Sequence, residues 1–216
     1  MRTKAKPGRP IGRRDAEPRR EALVQAAYRR LAEAGFEGLR TRDVAAEAGV
    51  NIATLHYYFP TKEALIKGVV GHAMDRFRTT FAPGAKPGEQ LAAQLRGVRR
   101  LAATEPELFV VMGELALRSG RDPAIEAIFK ATIDTWHSTL RTLVRHAQNE
   151  GFVGSQLDPD AVASLVIATL NGLFMVPVAN TAASRVDKAL GQLESFLGLK
   201  QKGRPARGRR GAQAGI

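Results

Sequence analysis

Apolar residues recur at spacings of three and four from residue 19 onward, and no stretch of four or more alternates convincingly, so the chain is predicted to be all-α. In "RREALVQAAYRRLAEAGF" the residues Leu23, Ala26, Ala27, Leu31 and Ala34 fall on one stripe, and Gly35 suits a left-handed cap that ends the helix, with Phe36 folding back on it. "TRDVAAEAG" predicts a short helix with Thr41 as N-cap and Gly49 just past its end, and "NIATLHYYF" another with Asn51 as N-cap. Pro60 and Thr61 punctuate before a fourth helix that runs to about Phe81, and the Pro- and Gly-rich "APGAKPGE" marks the domain boundary. Beyond it Leu91, Leu95, Val98 and Leu101 outline a helix, Pro106 to Ser119 another, and Asp122-Pro123 opens a long one reaching about Glu150. Asp158-Pro159 opens an eighth to about Asn180, and "SRVDKALGQLESFLGL" closes a count of about nine helices. The eighth is apolar on most sides, so either its own core or a partner chain must cover it.

Thr41 to Tyr58 has the layout of a helix-turn-helix: a two-turn helix, a tight turn at Gly49, and a second helix whose polar side faces out. Val44, Ala48, Val50, Leu55 and Phe59 supply inward contacts, Ala45 is small where the helices cross, and Gly49 permits the positive φ of the turn. Such a second helix can project into a major groove. An ordinary αα corner in a bundle has the same spacing.

Charge changes the picture at the ends. Residues 1 to 20 hold eight Lys or Arg against two acids, and residues 200 to 216 hold six basic residues and no acid. Removing both from the totals of 33 basic and 21 acidic residues leaves 19 of each, so the body is neutral and the tails carry the net +12. Both tails are crowded with Gly, Pro and Arg without apolar period, which predicts a disordered basic arm over 1–18 and a disordered basic tail over 200–216. Basic arms meet polyanions, nucleic acid or acidic lipid, or serve to solubilise.

The absence of Cys excludes disulfides, thiolate nucleophiles and Cys-based zinc sites. His56, His72, His137 and His146 form no i, i+4 pair, and there is no G-x-S-x-G and no phosphate-cradling Gly loop with a Lys. No catalytic residue, metal or cofactor is expected, and an enzyme is the disfavoured class. No 18-residue apolar run suggests a membrane span, and no apolar segment behind the N-terminal basic residues suggests a secretory signal. A soluble, intracellular protein is the simplest fit.

"TRDVAAEAGVNIATLHYYFPTKEAL", preceded by "LVQAAYRRLAEAGFEGL", resembles the DNA-binding domain of the TetR/AcrR family of bacterial transcriptional repressors. The resemblance covers residues 19 to about 70, and beyond that it is architectural. It implies a helix-turn-helix DNA-binding domain over 19–82, a ligand-binding and dimerisation domain over 83–199, and a cytoplasmic, nucleoid-associated protein. Ile52, Ala53 and Thr54 would face base edges, and Arg42 could donate two hydrogen bonds to a guanine. Thr41, His56, Tyr57, Tyr58 and Lys62 would hold phosphates, with helix N-terminal amides assisting. Plain packing against the fourth helix is the other reading of each Tyr. The family commonly has Ser or Thr where Asn51 stands, an equivalent N-cap, and Tyr where His56 stands, so that contact is shorter in reach and pH-sensitive. Ile52 and Ala53 donate no hydrogen bonds, so direct readout is expected to be sparse, with thymine methyls favoured.

The resemblance also implies a homodimer, formed by the helices at 158–180 and 184–199, on a pseudo-palindromic operator, released by a small-molecule effector, and the mostly apolar composition of the candidate pocket points to a hydrophobic or aromatic one. Small residues at Ala161, Ala168 and Gly172 suit close packing, between copies or within one chain. Phe109, Met112, Trp136, His137, Asn171 and Phe174 are candidates for the pocket, and each fits ordinary core as well. Gly68 and Gly71 lie inside the fourth helix, for close packing or for a helix shift on ligand binding.

"KPGRPIGRR" and "KGRPARGRR" both carry Gly-Arg-Pro between basic residues, which resembles the core of an AT-hook, although neither has the full Arg-Gly-Arg-Pro. Arg9, Arg13 and Arg14 lie just ahead of the first helix, where an arm can reach the minor groove beside the operator. The second copy follows the last helix and is left as a basic tail of unknown purpose. A ligand-independent architectural DNA-binder using these tails is the competing function, and it leaves the second domain without a purpose.

Overall fold

The structure, a computed structural model, describes residues 13–175 and 182–199. Among these residues the chain is all-α, with nine helices: α1 Arg13–Gly38, α2 Thr41–Glu47, α3 Ile52–Tyr58, α4 Lys62–Arg78, α5 Pro87–Thr104, α6 Pro106–Ser119, α7 Pro123–Asn149, α8 Pro159–Met175 and α9 Ala182–Phe196. No helix among them is long and apolar enough to cross a membrane.

Several ends differ from the expected ones. α1 starts at Arg13, not near 19, and carries Pro18 inside it; Glu17 puts negative charge near its start, where the helix dipole favours it. Residues 13–18 of the expected arm are thus helical, and residues 1–12 lie outside the described ones. Gly35, at φ 61 and ψ −164, breaks the helical course of α1 where the stop was expected, and a further short helical stretch follows it to Gly38. Ala34, placed on the inward stripe, is exposed at this kink. The cap of α2 is Arg40, not Thr41: Arg40 is extended, and its carbonyl accepts from Asp43 and Val44 N–H at 3.0 Å each, so backbone alone closes that end. α4 stops at Arg78, and the next residues turn away so that Thr80 is buried.

The described residues divide into two compact units. The first comprises the described part of Met1–Arg78 with Thr104–Ile133. In it α1 packs against α2, α4 and α6, α2 against α3, and α4 against α6. Its core is the predicted α1 stripe of Leu23, Ala27 and Leu31 with Val44, Leu65, Val69 and Leu108, all fully shielded from solvent. α6 belongs to this unit although it follows the Pro- and Gly-rich break at 82–89 in the chain.

The second unit comprises Thr79–Ala103 and the described part of Asp134–Ile216. Leu91, Leu95, Val98 and Leu101 of α5 face inward as expected, at most 2% exposed. Two glycines admit close neighbours: a Cβ at Gly88 would stand 2.1 Å from the Phe152 ring, and one at Gly97 2.5 Å from Thr80 Cβ. The Arg99 guanidinium, 2.7 Å from Asp187 Oδ1, ties α5 to α9. α8 packs on α9 and is two-sided: Val162, Ala163, Val166, Ile167 and Leu170 are buried, while Ala161, Leu165, Ala168 and Gly172 form an exposed stripe at helical spacing.

Candidate nucleic-acid interface

A seven-residue helix has little stability of its own, so α3 must be held at both ends. At its start the Asn51 carboxamide oxygen accepts from the Thr54 N–H at 2.8 Å and from the Thr54 hydroxyl at 3.0 Å. Ahead of it Gly49 takes φ 68, a conformation L side chains rarely adopt, and the Val50 N–H closes the turn onto the Ala45 carbonyl at 2.9 Å. Ala45 is buried, at 2% exposed. At the other end Phe59 is buried, with the Arg20 guanidinium 5.3 Å from its ring centroid. Of the expected inward residues Val44, Leu55 and Phe59 are buried, whereas Ala48 and Val50 are half-buried.

Leu55 is the single buried residue of α3, and the remainder of the helix is presented outward. Ile52 is 38% exposed and Tyr57 73%, and Asn51, Ala53 and His56 are exposed beside them. Arg42 is exposed on α2, while Thr41 and Thr54 are half-buried. The Thr54 hydroxyl proton is committed to Asn51, so towards a base Thr54 is an acceptor. α2 is fixed on α1 by Arg29 Nε to Glu47 Oε1 at 2.7 Å and by Arg30 to Asp43 at 3.6 Å. Exposed pairs of this kind contribute little energy and serve to set orientation.

The tyrosines separate. Tyr57 stands free of the core, edge-on to Tyr58 at 5.1 Å between centroids. Tyr58 is half-buried, and its hydroxyl is shielded from solvent with no partner among the described residues. Gly68 of α4 packs closely here: a Cβ would meet Val24 Cγ2 at 3.0 Å and the Phe59 ring at 3.2 Å. At Gly71 a Cβ would meet nothing within 4 Å.

Lys62 opens α4, whose start is capped by the Thr61 hydroxyl accepting from the Ala64 N–H at 3.1 Å. Its ammonium lies 4.3 Å from the Phe36 ring centroid. Burial, and next the Arg118 guanidinium, push that ammonium below the usual lysine range. Arg9 lies outside the described residues; Arg13 and Arg14 are in the first turn of α1, and their side chains lie outside them too.

The pocket candidates fall in different units. Phe109 and Met112, each 1% exposed, belong to the first, where Phe109 meets Phe77 edge-on at 6.0 Å. Trp136, His137 and Asn171 belong to the second and are half-buried; His137 Nε2 is 3.1 Å from Ser164 Oγ, and the Asn171 side-chain oxygen is shielded without a partner among the described residues. The Phe174 side chain lies outside the described residues. Pattern reading passed over Gln94, 2% exposed on α5, whose side-chain oxygen is likewise shielded and unpaired among the described residues. It also passed over Glu114 and Arg118, which meet Phe36 from 78 and 82 residues further along the chain; no local signal links positions so far apart.

Comparison with known proteins agrees with this geometry. Residues 23–69 match the description "Bacterial regulatory proteins, tetR family", and residues 87–199 match "BetI-type transcriptional repressor, C-terminal". The chain is 33% identical to the HTH-type transcriptional regulator BetI of Rhizobium meliloti, over 83% of this chain and 87% of that protein. It is 26% identical to the HTH-type transcriptional regulator PksA of Bacillus subtilis, over 74% of this chain and 79% of that protein. A TetR-family regulator structure from Rhodococcus sp. superimposes with a TM-score of 0.71 at 25% identity, over 84% of this chain and 99% of that one. With its capped, outward-facing α3 lying inside the first matched segment, the chain belongs to the tetR family of bacterial regulatory proteins, as a DNA-binding transcriptional regulator whose C-terminal part is of BetI type.

Proposed function

We propose that this regulator represses transcription by holding a pseudo-palindromic operator as a homodimer, and that a small, mostly apolar ligand releases it. The observation that carries the reading is the outer face of α3, where Asn51, Ile52, Ala53, His56 and Tyr57 are exposed on a helix held from below by Leu55 alone. In this reading Ile52 and Ala53 meet thymine methyls, Thr54 accepts from an exocyclic amine, and Arg42 forks onto a guanine. Thr41, His56, Tyr57 and Lys62 take phosphates; the shielded hydroxyl of Tyr58 favours packing at that position. Arg9, Arg13 and Arg14 serve the adjacent minor groove.

The exposed stripe Ala161, Leu165, Ala168 and Gly172 supports pairing of α8 and α9 with their copies, because its three small residues let two helices approach closely and Leu165 gains an apolar cover there. The amide oxygens of Gln94 and Asn171, shielded and without a partner among the described residues, support a ligand that brings hydrogen-bond donors into the second unit. A buried amide left without a partner costs about 1–3 kcal/mol. Along the chain we assign 19–82 to DNA binding and 83–199 to ligand and partner. The site is the cytoplasm, at the nucleoid, and no catalysis is assigned.

Selection of bound duplexes from a random pool by the purified protein tests this. Enrichment of an inverted repeat is expected, with half-sites spaced by about one helical turn or a multiple of it. Enrichment of A·T-rich sequence without symmetry would sink the reading in favour of an architectural role for the basic tails.

A further inference from the structure

Phe36 joins three segments that are distant in the chain. Its ring centroid has the Lys62 ammonium at 4.3 Å and the Arg118 guanidinium carbon at 4.6 Å, and its backbone N–H donates to Glu114 Oε2 at 3.2 Å. Gly35 before it holds a backbone conformation that is essentially glycine's alone, and a Cβ there would stand 3.0 Å from that same Glu114 oxygen. The position of the ring is therefore set by the α1 kink and by α6, while the two cations reach it on flexible stems. An open cleft of about 550 Å³ beside it, bounded by Glu37, Glu114 and Arg121 and lined by Arg118 itself, leaves the Arg118 guanidinium room to depart.

Two cations on one ring are each attracted by the π face and each repel the other. Glu37, Glu63 and Asp122 offset part of that repulsion at Lys62. Lys62 opens α4 directly after α3, Phe36 and Lys62 lie in the segment matched to the tetR description, and Arg118 lies in the BetI-type segment. All three belong to the first compact unit.

We propose that the Phe36 ring is a second seat for the Lys62 ammonium, in competition with a DNA phosphate, and that Arg118 on α6 sets the balance by repelling the ammonium from the ring. This rests on the reading of Lys62 as a phosphate contact. Phe36 and Arg118 are then positioning residues: with Arg118 at the ring, Lys62 is driven towards DNA, and a displacement of α6 that withdraws Arg118 lets the ring keep it.

The test is operator affinity of the full chain by fluorescence anisotropy over a salt series, with a duplex enriched by the protein from a random pool. Lys62→Met should weaken binding and lower the salt slope by about 0.9. If it does neither, the phosphate reading fails and the proposal with it. Phe36→Leu should tighten binding about two- to five-fold, the worth of a partly exposed cation–π contact, and Phe36→Tyr, which keeps the ring, should bind as the parent does. A purely structural role for Phe36 predicts the opposite sign. Arg118→Met should weaken binding about two-fold, and Arg121→Met, an equal charge lost three residues on, should weaken it less. In the Lys62→Met background both Phe36→Leu and Arg118→Met should lose their effect. Weaker binding by a folded Phe36→Leu, or an Arg118→Met effect that persists without Lys62, overturns the proposal and leaves the phosphate reading standing. Where Phe36→Leu fails to fold, the Arg118→Met comparison decides alone.

Discussion

Helices α3 and α8 of this regulator both present apolar residues to solvent, and the proposed function gives the two faces different partners. On α3 the exposed apolar residues are Ile52, Ala53 and Tyr57, interspersed with Asn51 and His56. On α8 the exposed set is Ala161, Leu165, Ala168 and Gly172, with Ser164 as its polar neighbour. The first face is short and rests on a single buried leucine; the second continues over three turns of a helix whose other side is core. A face that enters a groove of DNA needs only a few apolar points among polar ones, since phosphates supply most of the affinity. A face that pairs with another helix must be continuous and small, since close packing is what it offers. On the proposed function the same word, exposed, thus covers a reading head on α3 and an unfinished core on α8.

Placing one charge on each face separates them most sharply. Leu165→Glu should dissociate the homodimer, because an unpaired carboxylate in an apolar interface costs several kcal/mol, about 3 or more. Sedimentation should show monomers at concentrations where the parent is dimeric, with operator binding lost as a consequence. Ile52→Glu should leave the dimer and the melting temperature unchanged and still abolish operator binding, since the new carboxylate faces phosphates. A dimer that survives Leu165→Glu would show that α8 is covered by something else.

Arg42 refines the reading face. It is exposed on α2, and on the proposed function Arg42→Ala should cost about 1–3 kcal/mol at one base position and relax the preference there, as seen by repeating the selection. An equal loss on every sequence would make Arg42 a phosphate contact instead.

How far the sequence led follows the same division. The capped α3, the Gly49 turn and the nine-helix count were legible because each depends on neighbours within about four residues, as does the Asn51 cap on Thr54. The cap of α2 was misread because Thr41 is a good capping residue, yet Arg40 adopts the extended geometry and its carbonyl closes the turn. Contacts at long separation were invisible: α6 on α1, and Glu114 and Arg118 on Phe36, carry no periodic signal. The two glycines of α4 look alike in sequence and differ in space. Gly68→Ala crowds Val24 and Phe59, whereas Gly71→Ala meets open space and should raise stability by about 1 kcal/mol through helix propensity, measured by chemical denaturation. Destabilisation by Gly71→Ala would mean that a neighbour packs against Gly71 in solution, as one does against Gly68.

The smallest effects come from the tyrosine pair, where the line between reading face and core runs between adjacent residues. Tyr57 is 73% exposed, and its hydroxyl is free to meet a phosphate. Removing it in Tyr57→Phe should weaken operator binding by about 0.5–1.5 kcal/mol, the net worth of one hydrogen bond, with the melting temperature unchanged. The Tyr58 hydroxyl is shielded and has no partner among the described residues, so Tyr58→Phe removes an unsatisfied polar group. That variant should be as stable as the parent or slightly more so, and should bind DNA equally well. Loss of affinity in Tyr58→Phe would mean that the ring swings outward on the operator and that the reading face extends one residue deeper into α3 than its exposure in the free protein shows.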